Sequence, residues 1–153
     1  MTGTAEDLKL IIFQLKDKEY AIQVNQVRSI EKVLHITRVP GTPEFVNGVI
    51  NLRGVVTPVI DLRSRFGLQP EPYSDNTRVI IAGINNLEVG LIVDGANDVI
   101  DVNPEIIEPP PSVVGSIDIE YISGVIKVEK RLLILIDLEK ILEGEDLLVK
   151  AEK

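Results

Sequence analysis

Carboxylates are the residues of this chain whose type and spacing could support acid–base chemistry. Asp61 and Asp137 each follow an apolar run, and two carboxylates brought together can act as general acid and base. Both occupy the same place in an internal repeat, however, and each stands directly before a short helical pattern that its side chain could cap. We therefore interpret both residues as helix N-caps.

Other chemistry-bearing groups are few. Asp94, Asp98 and Asp101 form a carboxylate cluster, but they lack the ligand and glycine spacing of a calcium loop, so we expect a solvated loop face. His35 is the one histidine and cysteine is absent, which removes imidazole pairs, thiolates and disulfides. Neither common phosphate-loop motif is present. We expect no metal, no cofactor and no enzymatic activity.

Charge and composition exclude two kinds of partner. The formal net charge of −8 opposes the phosphate backbone, and 4% aromatic residues without tryptophan leave few platforms for stacking bases, so nucleic acid is not expected. The longest purely apolar run, 132–136, is far shorter than the roughly 20 residues that span a bilayer. We expect a cytoplasmic protein without direct membrane insertion, since the lack of cysteine also fits a reducing compartment.

The elements that must position these residues are mainly strands. Short β-branched runs separated by Gly, Asn and Pro predict a mostly β protein, either a barrel or a sandwich. These runs are 10–13, 20–24, 55–60, 78–82, 89–93, 124–128 and 131–136. Single helical turns are predicted after Asp61 and Asp137, and also at Thr42 and Asn103, with a weaker signal at Asp118.

The chain also repeats itself. The stretch from Val46 aligns with that from Ile122 at an offset of 76, and Glu19 aligns with Glu88 at an offset of 69. The second copy therefore has seven extra residues, which we place in the proline-rich stretch 108–116. Each copy would be only marginally stable alone, so the two are expected to bury apolar faces against each other.

One short segment distinguishes the first copy from the second. In GVINLRGVVTPVIDL (48–62), Arg53 and Gly54 interrupt an apolar run, whereas the matching residues 127–130 are Lys-Val-Glu-Lys. The fold therefore tolerates another connection at this corner. Two interpretations of Arg53 stay open on these grounds, a solvated turn residue and a contact residue of a docking surface.

Four motifs of the chain, in their order along it, resemble the CheW family of bacterial chemotaxis coupling proteins. These motifs are YAIQVNQVRSIEKV, ITRVPGTPEFVNGVINLRGVVTPVIDLR, VGLIVDGANDVI and EYISGVIKVEKRLLILIDLEKIL. The resemblance covers about 9–142. It implies one CheW-like domain over 1–153, built as two tandem SH3-like five-stranded β-barrels. We place these approximately at 15–80 and 81–144, with strand crossover allowed at the ends.

The resemblance also implies a function. Family members are noncatalytic adaptors that couple the cytoplasmic tip of methyl-accepting chemoreceptors to the regulatory domain of the histidine kinase CheA, in membrane-associated receptor arrays. By motif, the receptor-binding residues are Arg53, Val27, Ile30, Gly48, Val79 and Val99. The kinase contact is placed in the region 117–123, at Ile117, Glu120, Tyr121 and Ile122.

One departure from the family pattern and two rival functions accompany this prediction. Many relatives carry glutamate where this chain has Ser29, with Glu31 two positions further on, so an electrostatic contact is absent or moved. The first rival is a small-ligand-binding or enzymatic module that uses the crevice between the barrels, with Asp94 or Asp137. The second is a structural array subunit without receptor contact.

Overall fold

A computed structural model describes residues 7–84, 86–111 and 119–142 of the chain. Most of them lie in strands, which confirms the mostly β prediction. The strands are β1 Leu8–Leu15, β2 Lys18–Gln23, β3 Val27–Lys32, β4 Val46–Leu52, β5 Val55–Asp61, β6 Arg78–Ile84, β7 Leu87–Val93, β8 Gly95–Val102, β9 Ile122–Val128 and β10 Arg131–Ile136. Two short α-helices, α1 Leu62–Arg65 and α2 Leu138–Leu142, and three 3-10 turns, Val24–Gln26, Pro104–Ile106 and Ile119–Tyr121, complete the described elements.

The strands form two five-stranded sheets of the same design. One has the order β3-β6-β7-β5-β4 and the other the order β8-β1-β2-β10-β9. An isolated bridge between Thr37, which follows β3, and Val49 on β4 joins the two edges of the first sheet. The bridge between Glu108 and Val125 does the same for the second. Each sheet thus closes into a small barrel, called here barrel one (β3–β7) and barrel two (β1, β2 and β8–β10).

The barrels are not the sequential ranges that the sequence suggested. β1 and β2 (8–23) belong to barrel two, because β2 pairs in parallel with β10, while β6 and β7 (78–93) belong to barrel one. The ranges 15–80 and 81–144 are therefore wrong as barrel boundaries. The two copies of the repeat exchange their first hairpins, so each barrel combines strands from both.

Strand register confirms both repeat offsets. Val59 of β5 pairs with Gly90 of β7, and Leu135 of β10 pairs with Ala21 of β2. Leu135 follows Val59 by 76 residues, and Gly90 follows Ala21 by 69, as the aligned motifs predict. Each position in one barrel therefore has a defined counterpart in the other.

The buried apolar residues fall into a shared cluster and two smaller interiors. The shared cluster joins residues of both barrels, such as Phe13 and Tyr20 from barrel two and Leu91 from barrel one. Barrel two has its own interior around Leu10, and barrel one has its own around Val79. Because burial of apolar area is the main favourable term in folding, neither barrel is expected to fold alone.

Aspartate caps begin both α-helices, as predicted. The Asp61 carboxylate accepts hydrogen bonds from the backbone N–H groups of Arg63 at 3.0 Å and Ser64 at 3.5 Å. Asp137 accepts one from Lys140 at 3.1 Å. Burial raises the pKa of Asp61, although these hydrogen bonds oppose that shift. Both carboxylates therefore serve the backbone.

The other predicted helix starts have different outcomes. The Asn103 side chain accepts from the Glu105 N–H at 2.8 Å and begins a 3-10 turn, as predicted. The segment from Thr42 forms a turn without a helix, because the Pro43 carbonyl already accepts a hydrogen bond from Val46 at 3.0 Å and β4 begins there. Asp118 lies outside the described residues.

Arg65 joins the two halves of the molecule. Its guanidinium carbon lies 4.2 Å from the ring centroid of Phe45 and 4.9 Å from that of Tyr121, two residues at equivalent places in the repeat. Its Nε donates to the carbonyl of Ile141 at 2.9 Å. Cation–π contacts and a hydrogen bond from one side chain thus fix α1 against α2.

Within the described part of the chain, no helix is long and apolar enough to cross a membrane.

Candidate functional site

Arg53 lies at the tip of the β4–β5 hairpin. Arg53 and Gly54 both have positive φ, 53° and 85°, and the Asn51 side chain accepts the Gly54 N–H at 2.8 Å. The Arg53 side chain is 71% exposed, and its Nη2 donates to Oε2 of Glu31 at 3.2 Å. Since a guanidinium carries five N–H donors, this single bond leaves most of them available to a partner.

Glu31 on β3 is the carboxylate that holds Arg53. Its side chain is only 22% exposed, and the nearby Ser29 hydroxyl and the Arg53 guanidinium lower its pKa. Glu31, two positions beyond Ser29, thus forms an internal ion pair with Arg53, and the loss or shift of the partner contact at Ser29 stays a prediction. In the free protein, Arg53 is an exposed ion-pair member.

The hairpin backbone does not itself require an arginine. Glu129 stands at the matching place of the β9–β10 turn in barrel two and also has a positive φ, 55°. A non-glycine residue is strained in this region, and the strain is similar for both side chains. The identity of Arg53 is thus independent of the turn geometry, which favours the docking interpretation.

Gly48 has a backbone role. Its φ is +149°, and a Cβ at this position would lie 2.1 Å from the Thr37 carbonyl oxygen. The adjacent residue Val49 exchanges two hydrogen bonds of 2.9 Å with Thr37, which close barrel one. At the equivalent place in barrel two, a Cβ on Gly124 would lie 2.7 Å from the Glu108 carbonyl oxygen. Both glycines therefore allow the closing segment to approach β4 or β9.

The other predicted receptor residues lie in different surroundings. Val27 and Ile30 lie on β3 with Glu31; Val27 packs against the shared cluster, and Ile30 is exposed. Val99 is also exposed, but it lies on β8 of barrel two. Val79 is fully buried inside barrel one, so the prediction that it contacts a receptor directly is wrong for its side chain. β6 is a central strand with both faces covered, which explains this burial.

The predicted kinase-contact residues also divide. Glu120 is exposed. Tyr121 is half-buried and stacks on Phe66 with ring centroids 5.8 Å apart, and Ile122 is buried in the shared cluster, so its predicted direct contact is wrong for the side chain. Ile117 lies outside the described residues. Of this group, Glu120 is exposed and Tyr121 is partly exposed.

Three exposed apolar residues were missed by the sequence analysis. Val55, Val56 and Leu87 lie where β5 and β7 begin, and they are 54%, 63% and 39% exposed. The run VVTPVI predicts a strand, and its uniform apolar character does not distinguish the exposed Val55 and Val56 from the buried residues that follow. The internal repeat offered a signal, because Val55 corresponds to the charged Arg131.

The cavity between the barrels was the alternative site. It measures about 670 Å³ and is lined by Lys16, Arg63, Arg78 and Asp94 among others. Asp94 accepts from Arg63 Nε at 2.9 Å and from the Lys16 N–H at 2.6 Å, and this pairing raises the pKa of the buried Arg63. Asp94 is thus held in an ion pair with Arg63, and Asp137 caps α2, so both carboxylates have structural roles.

The expected solvated loop from Asp94 to Asp101 is wrong, because Gly95–Val102 is strand β8. The remaining acids of the cluster are paired: Asp101 with Lys9 at 3.2 Å and Asp98 with Arg131 at 3.1 Å. Arg131 also donates to both oxygens of Glu19, at 3.0 and 2.8 Å, which lowers the pKa of Glu19. Within 7–84, 86–111 and 119–142, no group of acids and His could hold a metal ion.

Tyr20 is a buried phenol in the shared cluster whose hydroxyl has no hydrogen-bond partner among the described residues. Burial, with a smaller effect of Asp17, raises its pKa to about 12. The folded state therefore favours the neutral phenol. This contribution to stability is complete below pH 10, the ordinary pKa, and is lost as the pH rises through about 12.

We expect Tyr20→Phe to be as stable as the wild type at pH 7, or more stable by up to about 1 kcal/mol, because it removes an unsatisfied buried hydroxyl. Above pH 10 the variant should lose less stability than the wild type. Urea denaturation at pH 7, 10 and 11.5 measures both effects. A loss of more than about 1 kcal/mol at pH 7 would show that the hydroxyl has a partner.

Fold and surface define a class of protein: a duplicated two-barrel β protein with an exposed arginine at the tip of one hairpin. A family model described as CheW-like domain matches residues 9–146. Chemotaxis protein CheW of Bacillus subtilis is 50% identical over 137 residues, covering 90% of this chain and 88% of the relative. Chemotaxis protein CheW of Klebsiella aerogenes is 38% identical over 147 residues, covering 96% and 89%.

The solved structures agree with the sequence relatives. The crystal structure of the scaffolding protein TtCheW from Thermoanaerobacter tengcongensis superposes with a TM-score of 0.86 at 36% identity, covering 97% of each chain. The chain therefore belongs to the CheW family.

Proposed function

We propose that this protein is a chemotaxis adaptor that couples the cytoplasmic tip of chemoreceptors to the regulatory domain of the kinase CheA. It has no catalytic activity of its own and is cytoplasmic, recruited to membrane-associated receptor arrays. The single observation that carries the proposal is Arg53: an exposed arginine, not required by its turn, in a chain of this family. The names of the relatives, chemotaxis proteins and a scaffolding protein, support the same role.

Receptor binding is assigned to the β3 side of barrel one. Val27 and Ile30 offer apolar contacts on β3, and Glu31 on the same strand pairs with Arg53. A receptor helix would place apolar side chains against Val27 and Ile30, while Arg53 pairs with a carboxylate or carbonyl at the edge of that contact. Gly48 acts indirectly, because it allows the chain after β3 to close against β4.

Kinase binding is assigned to a different face. Glu120 and Tyr121 lie on the 3-10 turn before β9, whereas Arg53 lies on the β4–β5 turn of barrel one. An adaptor needs two faces that can be occupied together, so receptor and kinase should not compete. A ternary complex is therefore the distinguishing expectation.

Co-purification tests the proposal. A receptor signalling fragment and the kinase regulatory domain are each mixed with the protein, separately and together, and complexes are separated by size-exclusion chromatography. We expect two binary complexes and one ternary complex. Kinase binding alone would instead favour the structural array subunit. Absence of both complexes, together with a metabolite that stabilises the protein in a thermal-shift screen, would favour the ligand-binding alternative.

A further inference from the structure

Arg65 departs from the symmetry of the internal repeat. Its counterpart, 76 residues further along the chain, is Ile141, a fully buried member of the shared cluster. In the first copy a half-buried guanidinium therefore takes the place that an aliphatic side chain has in the second. A charged group among apolar ones needs partners that compensate for its lost hydration, so the contacts of Arg65 indicate what it does.

The partners of Arg65 come from both copies of the repeat. The guanidinium carbon lies 4.2 Å from the ring centroid of Phe45 and 4.9 Å from that of its repeat equivalent, Tyr121. The Nε donates to the Ile141 carbonyl at 2.9 Å, near the C-terminal end of α2. Carbonyls at this end of a helix lack intrahelical partners, and a cation beside them is favourable. One side chain thus contacts the residues that precede β4 and β9 and the end of α2.

The Tyr121 ring is fixed by side chains that follow barrel one, although Tyr121 itself leads into barrel two. Tyr121 ends the 3-10 turn Ile119–Tyr121, and its carbonyl accepts from the Asp137 N–H at 2.8 Å, so its backbone is fixed within its own copy. The ring instead contacts Arg65 and stacks on Phe66, with ring centroids 5.8 Å apart. Arg65 ends α1 and Phe66 follows it, directly after β5 of barrel one. The orientation of the ring therefore depends on the other copy.

We infer that Arg65 is a positioning residue for kinase binding: it fixes the Tyr121 ring, and with it the turn that carries Glu120, relative to barrel one. Cation–π attraction favours the guanidinium against the two rings, and the hydrogen bond to Ile141 sets the direction from which it approaches them. The inference rests on the proposed function, which assigns kinase binding to Glu120 and Tyr121. It adds that the geometry of this contact is set from the opposite barrel.

Substitution of Arg65 is the first test. Calorimetry measures binding of the kinase regulatory domain and, separately, of the receptor fragment to the wild type, Arg65→Leu, Arg65→Gln, Arg65→Lys and Ser64→Ala. We expect Arg65→Leu and Arg65→Gln to bind the kinase domain at least about 5-fold more weakly, and Arg65→Lys, which keeps the charge without the planar group, to lie between them and the wild type. Receptor affinity should stay within about 2-fold, because Arg53 lies on another element. Ser64 is an exposed residue of the same helix, so Ser64→Ala should change neither affinity.

A double-mutant cycle with Tyr121→Leu is the second test, because it separates positioning from a general structural role. If Arg65 acts through the Tyr121 ring, Arg65→Gln should cost little further kinase affinity once that ring is removed, so the two losses should not add. Urea denaturation checks that each variant is folded under the conditions of the calorimetry. Arg65→Gln keeps a polar side chain with an N–H donor and carries the test if Arg65→Leu does not fold.

Three outcomes would overturn the inference while the proposed function stands. They are wild-type kinase affinity in Arg65→Gln, additive losses in the cycle with Tyr121→Leu, and an equal loss of receptor affinity in the Arg65 variants. A wild-type protein that does not bind the kinase regulatory domain would overturn the proposed function and the inference with it.

Discussion

Gly48→Ala is expected to destabilise the protein by about 3 kcal/mol or more, the largest effect on folding predicted for this chain. A Cβ at position 48 would lie 2.1 Å from the Thr37 carbonyl oxygen, far inside van der Waals contact. Thr37 can move away only by breaking its two 2.9 Å hydrogen bonds with Val49. The φ of +149° adds strain for any residue with a Cβ.

Gly67→Ala is the matched control for this substitution. Gly67 also has a positive φ, +77°, but nothing lies within 4 Å of a Cβ placed there. It should cost only the backbone strain, about 1–2 kcal/mol. Urea denaturation of both variants, followed by circular dichroism, separates the two contributions. Equal losses for Gly48→Ala and Gly67→Ala would contradict the role of Gly48 in closing barrel one.

This prediction changes how a family motif is interpreted. The resemblance carried Gly48 over as a receptor-binding residue, and the sequence analysis could not separate binding from backbone geometry. The equivalent glycine, Gly124, meets the Glu108 carbonyl in the same way, at a place to which no receptor role was assigned. We therefore expect receptor-binding defects of Gly48 variants to follow from the altered closing segment.

The sequence predicted most of the architecture because its two signals are local. β-branched runs indicated the strands, and the repeat indicated two units of one design with caps at Asp61 and Asp137. The exchange of hairpins could not be predicted in the same way. β5 and β10 occupy equivalent places in the repeat. The sequence pattern therefore does not show which of these two strands pairs with β2.

Individual site residues were harder to predict than strands. RVIIA has no polar alternation, so nothing in the sequence distinguishes a fully buried Val79 from a groove residue. The contrast between copies worked better: it isolated Arg53, and applied to Val55, whose counterpart is the charged Arg131, it would also have indicated an exposed position. The Arg53–Glu31 pair joins residues 22 positions apart, so it required the three-dimensional register of β3 and the hairpin.

Arg53→Ala should weaken receptor binding by about 2 kcal/mol or more, roughly 30-fold, if Arg53 is a contact that is desolvated on binding. The loss follows from removing a guanidinium that can form bidentate bonds with a carboxylate. The free energy of unfolding should change by less than about 1 kcal/mol, because the Arg53 side chain is largely exposed in its ion pair with Glu31. The positive φ at position 53 is also the same in both proteins. Calorimetry with the receptor fragment and urea denaturation measure the two effects.

Three further variants give the Arg53 prediction its specificity. Arg53→Lys keeps the charge without the planar fork, so its affinity should lie between those of the wild type and Arg53→Ala. Arg38→Ala removes another exposed arginine of the chain region between β3 and β4 and should bind as the wild type does. Glu31→Gln weakens only the internal pair. Because Arg53 then loses its orientation but keeps its donors, Glu31→Gln should lose less receptor affinity than Arg53→Ala. If Arg53→Ala bound the receptor fragment as tightly as the wild type, Arg53 would be a solvated turn residue and the docking interpretation would be wrong.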